Sequence, residues 1–245
     1  MAVNKNSIGY TVTFAIVLVT ICGALLATLA TSLKPAQKAN VDNEKRQFIL
    51  AAAGAYKMED LKAMEKAEIS KIFDEKIAQN VFDVNGNEIE GEKAFNIDIV
   101  KEFKATKNDA SIRKYPMYTF KDAGKEKYII PMAGNGLWGP IWGYIALGSD
   151  KNTIEGVVFD HKGETPGLGA KIAEQTFQDL FTSTTKKIMS DEGKYYGIKV
   201  VKGGLKNPNH EIDAIAGATI TSNGVGEMLE PGFKPYMRAF GNEIK

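Results

Sequence analysis

The amino-acid sequence predicts an α+β fold in which a single N-terminal transmembrane helix precedes a mostly antiparallel sheet packed with helices. Three observations predict it: an uncharged apolar run near the start, helical periodicity at both ends, and short apolar runs separated by turn residues in between. We divide the chain into a tail (residues 1–7), the transmembrane helix (8–33), a helical stalk or packing segment (34–80) and an α+β domain (81–245).

The uncharged run from Ile8 to Leu33 is long enough, as a helix, to cross about 30 Å of hydrocarbon. It exceeds the roughly 7 to 15 apolar residues of a signal peptide, and Ile21 is a poor neighbour for lipoprotein cleavage at Cys22. An uncleaved anchor is therefore favoured over a cleaved signal peptide or a lipoprotein signal.

The basic residues around this run bear on its orientation. Only Lys5 and the amino terminus precede the run, whereas four basic residues follow it within the next turns. The positive-inside rule by itself therefore places the large domain in the cytoplasm. The four residues are Lys34, Lys38, Lys45 and Arg46.

Composition excludes several function classes. The 31 basic residues nearly balance the 30 acidic ones, so no strong field attracts nucleic acid, and we expect no nucleic-acid partner. With one cysteine, Cys22, and two histidines, His161 and His210, the chain cannot build a disulfide framework, an iron-sulfur site or a histidine metal cluster. We expect no metal site and identify no catalytic side chain, so any electron transfer requires an organic cofactor.

The remaining elements follow from periodicity and turn residues. Apolar positions recur at helical spacing before residue 78 and after residue 168, and Asn85-Gly86 indicates a two-residue hairpin. Pro231 limits the closing helix, which is expected to begin near Ser222. The predicted helices are 39–56, 58–77, 169–187 and the closing one, and the predicted strands are 125–132, 142–147, 153–161 and 195–201.

The stretch AGATITS, residues 216–222, places hydroxyls at a predicted helix start. Thr221, Ser222 and Asn223 are all good N-cap residues, which would put Thr219 just ahead of free backbone amides and the positive end of the helix dipole. That geometry suits a phosphate, and Gly217 and Ala218 leave room beside it. The alternative is an ordinary strand-to-helix turn with a capping threonine.

Two further glycine-rich stretches accompany it. In HKGETPGLGAKI, residues 161–172, three glycines permit unusual backbone shapes while Glu164 and Thr165 supply polar edges beside Leu168. In GNGLWGPIWG, residues 134–143, the two tryptophans are either core aromatics, or one of them or Leu137 lies against a flat ring. Together the three stretches fit an aromatic cofactor with a phosphate tail.

These stretches, AGATITS, HKGETPGLG and GNGLWGPIWGYIAL, resemble the covalent-FMN domain of respiratory flavoproteins. With the apolar run, the segment LKPAQKANVDNEKRQFILAAAG and the overall length, the chain resembles the C-subunit family of sodium-translocating NADH:quinone oxidoreductases over essentially its whole length.

The resemblance implies that FMN is attached by a phosphoester to the Thr219 hydroxyl. A separate, metal-dependent flavin transferase that uses FAD would make the bond and recognise Asp213, Gly217, Ala218 and Thr219. Ala216 departs from the serine or threonine usual in the family. The other residues expected to bind the flavin are Leu137, Trp138, Glu164, Thr165, Gly167, Leu168, Gly169, Lys171, Gly217, Ala218, Ile220 and Thr221.

The resemblance also implies a role. The flavin would relay single electrons between an iron-sulfur centre and a second flavin in partner membrane subunits of a pump that couples NADH oxidation by ubiquinone to sodium export. The chain would be a redox subunit without complete activity alone. Its domain would face the periplasm from the bacterial inner membrane, and we prefer this placement to the one from the basic residues. Ion conduction is not expected, because the span carries no charge.

Two alternatives stay open. One is the G subunit of the homologous ferredoxin:NAD oxidoreductase complex, although the longer segment between the anchor and the GLWG motif favours the C-subunit family. The other is a membrane-anchored binding or structural module whose glycine loops are only turns, and this alternative predicts no bound flavin.

Overall fold

The computed structural model describes residues 7–244, which form two compact units divided between Lys45 and Arg46. Most of the first unit belongs to helix α1, Ile8–Ala52, which continues across Pro35 and so includes the predicted span (8–33) and the first part of the predicted stalk. Within it, an 18-residue window has a mean hydropathy of 2.5 and no buried residue. By length and composition, α1 is therefore able to cross a membrane.

Threonine side chains inside α1 bond to the helix itself. The hydroxyls of Thr20, Thr28 and Thr31 each donate to the carbonyl four residues earlier, at 2.8 Å. A hydroxyl satisfied in this way adds little polar surface to an apolar helix. The outer surface of the helix therefore stays compatible with hydrocarbon.

The second unit is built on a five-stranded antiparallel sheet in the order β1-β2-β3-β4-β5. Because neighbours in sequence are neighbours in the sheet, short turns join most of them. Ala123 and Gly124, with φ of 49° and 80°, form the two-residue turn between β2 and β3. The strands are β1 (Ile77–Phe82), β2 (Tyr115–Asp122), β3 (Lys125–Asn135), β4 (Pro140–Leu147) and β5 (Ile154–His161).

Helices cover both faces of this sheet. Alternate residues of β3 illustrate the arrangement, since Ile129 joins the hydrophobic cluster that includes Leu50 and Phe73, and Ile130 joins the cluster that includes Met228. A sheet buried on both faces has strands that are apolar almost throughout. The helices of this unit are the end of α1, α2 (Met58–Ala63), α3 (Lys66–Lys76), α4 (Ile99–Ala105), α5 (Gln175–Gln178), α6 (Thr219–Gly232) and α7 (Lys234–Ala239).

The structure confirms the predicted fold class and most of the strands. The chain reverses at Asn85-Gly86 as predicted, and an antiparallel bridge joins Phe82 to Glu88. Strand β2 and helix α4 were not predicted. The expected strand 195–201 is realised only as β6 (Lys199–Val201), which pairs in parallel with an unpredicted β7 (Glu211–Asp213).

The predicted helix 169–187 is wrong as a continuous element. The chain instead forms a 3-10 turn at Gly169–Ala173, the single turn of α5, and a second 3-10 turn at Asp179–Phe181. Phe177 and Phe181 are still buried, because both pack on Phe159. Beyond Phe181, hydroxyl side chains compete with helical bonding, and the Lys186 carbonyl accepts the Ile154 N–H of β5 at 2.9 Å.

The predicted start of the closing helix is also wrong. Helix α6 begins at Thr219, with Ala218 at the N-cap, so the three residues expected to cap it lie inside its first turns. The helix starts earlier because two of these side chains are engaged in other hydrogen bonds. The Ser222 hydroxyl accepts the Ile215 N–H at 3.0 Å, and the Thr221 hydroxyl donates to a carboxylate 57 positions earlier in the chain.

Candidate functional site

The three glycine-rich stretches meet in space at the carboxylate of Glu164. The turn between β3 and β4 contributes the Trp138 backbone N–H, which donates to Glu164 Oε1 at 2.8 Å. Helix α6 contributes the Thr221 hydroxyl, which donates to Oε2 at 2.5 Å. The loop after β5 holds Glu164 itself, and the backbone N–H of this residue donates to His161 Nδ1 at 3.1 Å.

The hydroxyls at the start of α6 differ sharply in exposure. Thr219, in the first turn, is exposed to solvent. Thr221 and Ser222 are only 2% and 0% exposed and are engaged in the bonds described above. Of these three hydroxyls, only that of Thr219 is placed where a second macromolecule could modify it.

The amino end of α6 has no side-chain cap. Ala218 occupies the N-cap position and has no side-chain oxygen, so the first-turn amides of this 14-residue helix keep their capacity to bind an anion. Gly217 precedes it with φ 78°, a conformation that favours glycine, and its Cβ position lies 3.1 Å from Leu168 Cδ2. The result is an uncapped helix end beside an exposed hydroxyl.

Large apolar side chains surround this helix end and are exposed. They come from all three stretches, and we name them the apolar rim: Leu137, Trp138, Leu168 and Ile220, exposed by 49%, 66%, 42% and 58%. Trp142, in contrast, is half-buried in β4 and packs beside the core. Of the two tryptophans, Trp138 is therefore the one available to a flat ligand.

Close contact between α6 and β3 holds the helix in place. A Cβ at Gly224 would lie 2.0 Å from the Asn135 carbonyl oxygen, and one at Gly134 would lie 2.9 Å from Met228 Cβ. Two glycines on facing elements therefore allow the helix to approach the end of the strand. Gly224 was not predicted as part of the site, and no local signal distinguishes it from Gly226 in the same helix.

The other predicted site residues surround the same cluster. Thr165 and Gly167 are exposed, and the Thr165 carbonyl accepts the N–H groups of Leu168 and Ala170 at 3.1 and 3.2 Å. Lys171 is half-buried in the 3-10 turn that follows. Asp213 is exposed at the end of β7, on the segment that leads to Thr219.

Two features of the site were not expected from the sequence. A Cβ at Gly136 would lie 2.6 Å from Glu164 Oε1, so this glycine makes room for the carboxylate. Burial raises the pKa of Asp160, whose carboxylate accepts the His161 N–H at 2.7 Å. Within residues 7–244, no group of three or more His, Cys, Asp or Glu side chains converges as a metal site.

Comparison with known proteins gives consistent matches. Residues 136–233 match the family model described as FMN-binding domain. The chain is 32% identical to the C subunit of the Na(+)-translocating NADH-quinone reductase of Neisseria meningitidis serogroup B, covering 96% of this chain and 95% of that protein. It is likewise 32% identical to the same subunit of Vibrio alginolyticus, covering 97% and 96%.

Solved structures give the same result. The C subunit of the Na(+)-translocating NADH-quinone reductase from Parabacteroides distasonis superimposes with a TM-score of 0.72 at 38% identity, covering 86% of this chain and 98% of that one. NqrC of Shewanella oneidensis superimposes with a TM-score of 0.63 at 26% identity, covering 82% and 94%.

Proposed function

The chain belongs to the C-subunit family of Na(+)-translocating NADH-quinone reductases, and from this membership we propose that it carries FMN covalently on Thr219 and relays electrons within such a complex. The single observation that carries the site assignment is the exposure of Thr219 beside two buried hydroxyls. The named relatives are C subunits of this reductase, which favours this assignment over the G subunit of the ferredoxin complex.

The residues at the start of α6 fit the phosphate end of FMN. The Thr219 hydroxyl is accessible, and the uncapped amides of α6 face an anion favourably. Gly217 and Ala218 have little or no side chain to obstruct a phosphorylated ligand. These features account for small residues next to a reactive hydroxyl.

The attachment step uses this hydroxyl as the nucleophile. With FAD as donor, the Thr219 oxygen bonds to the flavin-side phosphorus, the pyrophosphate P–O bond breaks, AMP leaves, and the hydroxyl proton is released. The separate flavin transferase supplies the catalytic groups and metal. The exposed Asp213 and the segment through Ala218 would form the surface that this transferase recognises.

The apolar rim fits the ring end of FMN. Exposed apolar clusters next to polar groups are typical of binding sites, and Trp138 and Leu168 offer flat and branched surfaces to an aromatic ring. Bound FMN would supply one-electron chemistry that none of the side chains provides. The role of the chain is to hold the ring, limit its access to water and keep it from dissociating.

The proposed membrane location of the chain follows from helix α1 and from the family. Helix α1 would anchor the chain in the bacterial inner membrane, with the large domain in the periplasm and the other reductase subunits as partners. A reporter fused after residue 245 tests the orientation. A cytoplasmic signal would overturn the periplasmic placement and would agree with the basic residues that follow the span.

Production with and without the transferase tests the main proposal. The full chain is purified from membranes, and its intact mass and its flavin fluorescence in a denaturing gel are measured. We expect a mass increase of one esterified FMN only when the transferase is present, with fragmentation placing it on Thr219. A chain that stays unmodified and colourless with an active transferase would support the binding-module alternative instead.

A further inference from the structure

The sequence suggested Glu164 as a polar edge for the flavin, but its carboxylate faces inward. Glu164 is 4% exposed, and its two oxygens accept hydrogen bonds from two different parts of the chain. The Trp138 N–H lies 26 positions away in sequence and the Thr221 hydroxyl 57 positions away. One buried side chain therefore connects the turn between β3 and β4 to the amino end of α6.

Two glycines lie close against the carboxylate. Besides Gly136, described above, Gly169 makes room for it. A Cβ at Gly169 would lie 2.4 Å from Oε2 and 2.6 Å from the Thr221 Oγ1. The carboxylate is thus bordered by two glycines and two donors, and the residue is only 4% exposed.

The two connected parts hold opposite ends of the proposed flavin site. Trp138 belongs to the apolar rim, which faces the ring, while Thr221 lies two residues beyond the phosphate acceptor Thr219. We propose that Glu164 is a positioning residue, which sets the ring-binding surface relative to the tether without touching the flavin. The effect on the flavin ring rests on the proposed function. The hydrogen bonds that join Trp138 and Thr221 through Glu164 do not depend on the flavin.

A carboxylate suits this task because both of its oxygens are acceptors and both partners are donors. Hydrogen bonds to a charged acceptor are stronger than neutral ones, above all when they are buried. The competing explanation is that Glu164 acts on the flavin through its negative charge. Glutamine separates the two, because its amide oxygen can accept from Trp138 and its amide nitrogen can donate to the Thr221 oxygen, without charge.

The connection is tested first on the full chain without flavin, prepared without the transferase. The readout is hydrogen exchange of the Trp138 backbone amide. In Glu164→Met, which keeps the length but removes both acceptors, we expect exchange about tenfold faster, since a buried bond to a charged group is lost. Glu164→Gln should exchange close to the original rate, as should the matched control Glu174→Gln on an exposed carboxylate.

The effect of Glu164 on the orientation of the flavin ring is tested on the flavinylated chain. The readout is the visible circular dichroism of the flavin, which reports how firmly its ring is oriented. Glu164→Met and Thr221→Val should both weaken this signal while the intact mass still shows attached FMN. Because both changes break the same connection, the double variant should be no weaker than the weaker single one. Glu164→Gln should restore most of the signal.

Some results would overturn the positioning role of Glu164, and others would overturn the proposed function. An unchanged Trp138 exchange rate in Glu164→Met, or a signal lost as fully in Glu164→Gln as in Glu164→Met, overturns the positioning role. If Glu164→Met does not fold, the Thr221→Val and Glu164→Gln variants still test the positioning role of Glu164. If the original chain carries no FMN, the proposed function fails, while the exchange experiment still tests the connection.

Discussion

The sheet core and the glycine-loop site bury opposite kinds of side chain. In the sheet, apolar residues such as Ile129 and Ile145 are fully buried. At the site, the apolar rim is exposed, while Glu164 and Thr221 are buried. Burying polar groups is costly unless each one finds a partner, and the site meets that requirement through its own hydrogen bonds.

This difference in burial reflects how each region is stabilised. The core derives its stability from apolar surface removed from water, which is not directional. If the proposed site binds the flavin, its apolar surface is left for that ligand, and the site holds its shape by directional hydrogen bonds and close glycine contacts. We therefore expect changes at the site to affect the ligand more than the fold, except where a glycine or a buried polar group is altered.

The largest expected effect is on the ligand alone. Thr219→Leu removes the acceptor oxygen, so covalent flavin should be lost completely. Because the residue is exposed, the free energy of unfolding should change by no more than about 0.5 kcal/mol. Intact mass and in-gel fluorescence measure the attached flavin, and chemical unfolding measures the free energy of unfolding. Thr219→Ser, which keeps the hydroxyl, should stay flavinylated, and flavin persisting on the leucine variant would move the attachment to another residue.

The largest expected effect on stability is at the contact between α6 and β3. Gly224→Ala should destabilise the fold by about 3 kcal/mol, because its methyl group would meet the Asn135 carbonyl oxygen at 2.0 Å. Gly226→Ala is the matched control in the same helix.

At Gly226 the nearest atom to a Cβ, the Val200 nitrogen, lies at 3.5 Å. Alanine should there stabilise by up to about 1 kcal/mol through helix propensity. Equal unfolding curves for the two variants, measured with urea on the full chain in detergent, would contradict the close contact.

A smaller loss is expected in the loop after β5. Gly169→Ala should cost about 2 kcal/mol, because the added methyl group displaces Glu164 or Thr221 from their shared hydrogen bond. Gly163→Ala lies in the same loop with nothing within 4 Å and should be nearly neutral. Urea unfolding compares them, and a neutral Gly169→Ala would mean that the carboxylate can move away without loss.

The apolar rim should affect the ligand with little effect on the fold. Trp138→Ala should leave stability within about 0.5 kcal/mol, since the side chain is 66% exposed. Flavin fluorescence should increase severalfold, because an aromatic side chain against the ring quenches its emission. Ile112→Ala, at the same exposure but outside the site, should change neither quantity. An unchanged emission in Trp138→Ala would place the ring elsewhere.

The smallest effect is expected far from the site, at the turn after β1. The hydrogen bond from the Asn87 side chain lowers the pKa of Asp83 below its ordinary value of 3.8. This contribution to stability is fully present above the unfolded-state pKa and is lost as pH falls through the lower folded-state pKa. Titration by NMR should give a pKa below 3.8, and Asp83→Asn should reduce the acid sensitivity of unfolding slightly. A pKa at or above the ordinary value would contradict the turn geometry.

Residue patterns predicted much of this architecture. The short apolar runs of β3 to β5, the apolar run of α1 and the Asn85-Gly86 reversal are local signals, and the structure has a strand, a helix or a turn at each of them. The helix predicted over 169–187 was wrong because its apolar spacing serves an aromatic cluster with Phe159 instead of a continuous helix. Strand β2 was missed; its first six residues are buried, and its place in the sheet is set by pairing with β1 and β3.

The sequence by itself determined the family, the glycine-rich stretches and the set of hydroxyls that includes the proposed acceptor, because residue types and spacing are local properties. Only the tertiary structure decided that Thr219 is exposed while Thr221 and Ser222 are buried. It also decided that the Glu164 carboxylate points into the protein. Both outcomes depend on hydrogen bonds and glycine contacts between residues far apart in the chain, and such contacts exist only once the sheet and α6 have packed together.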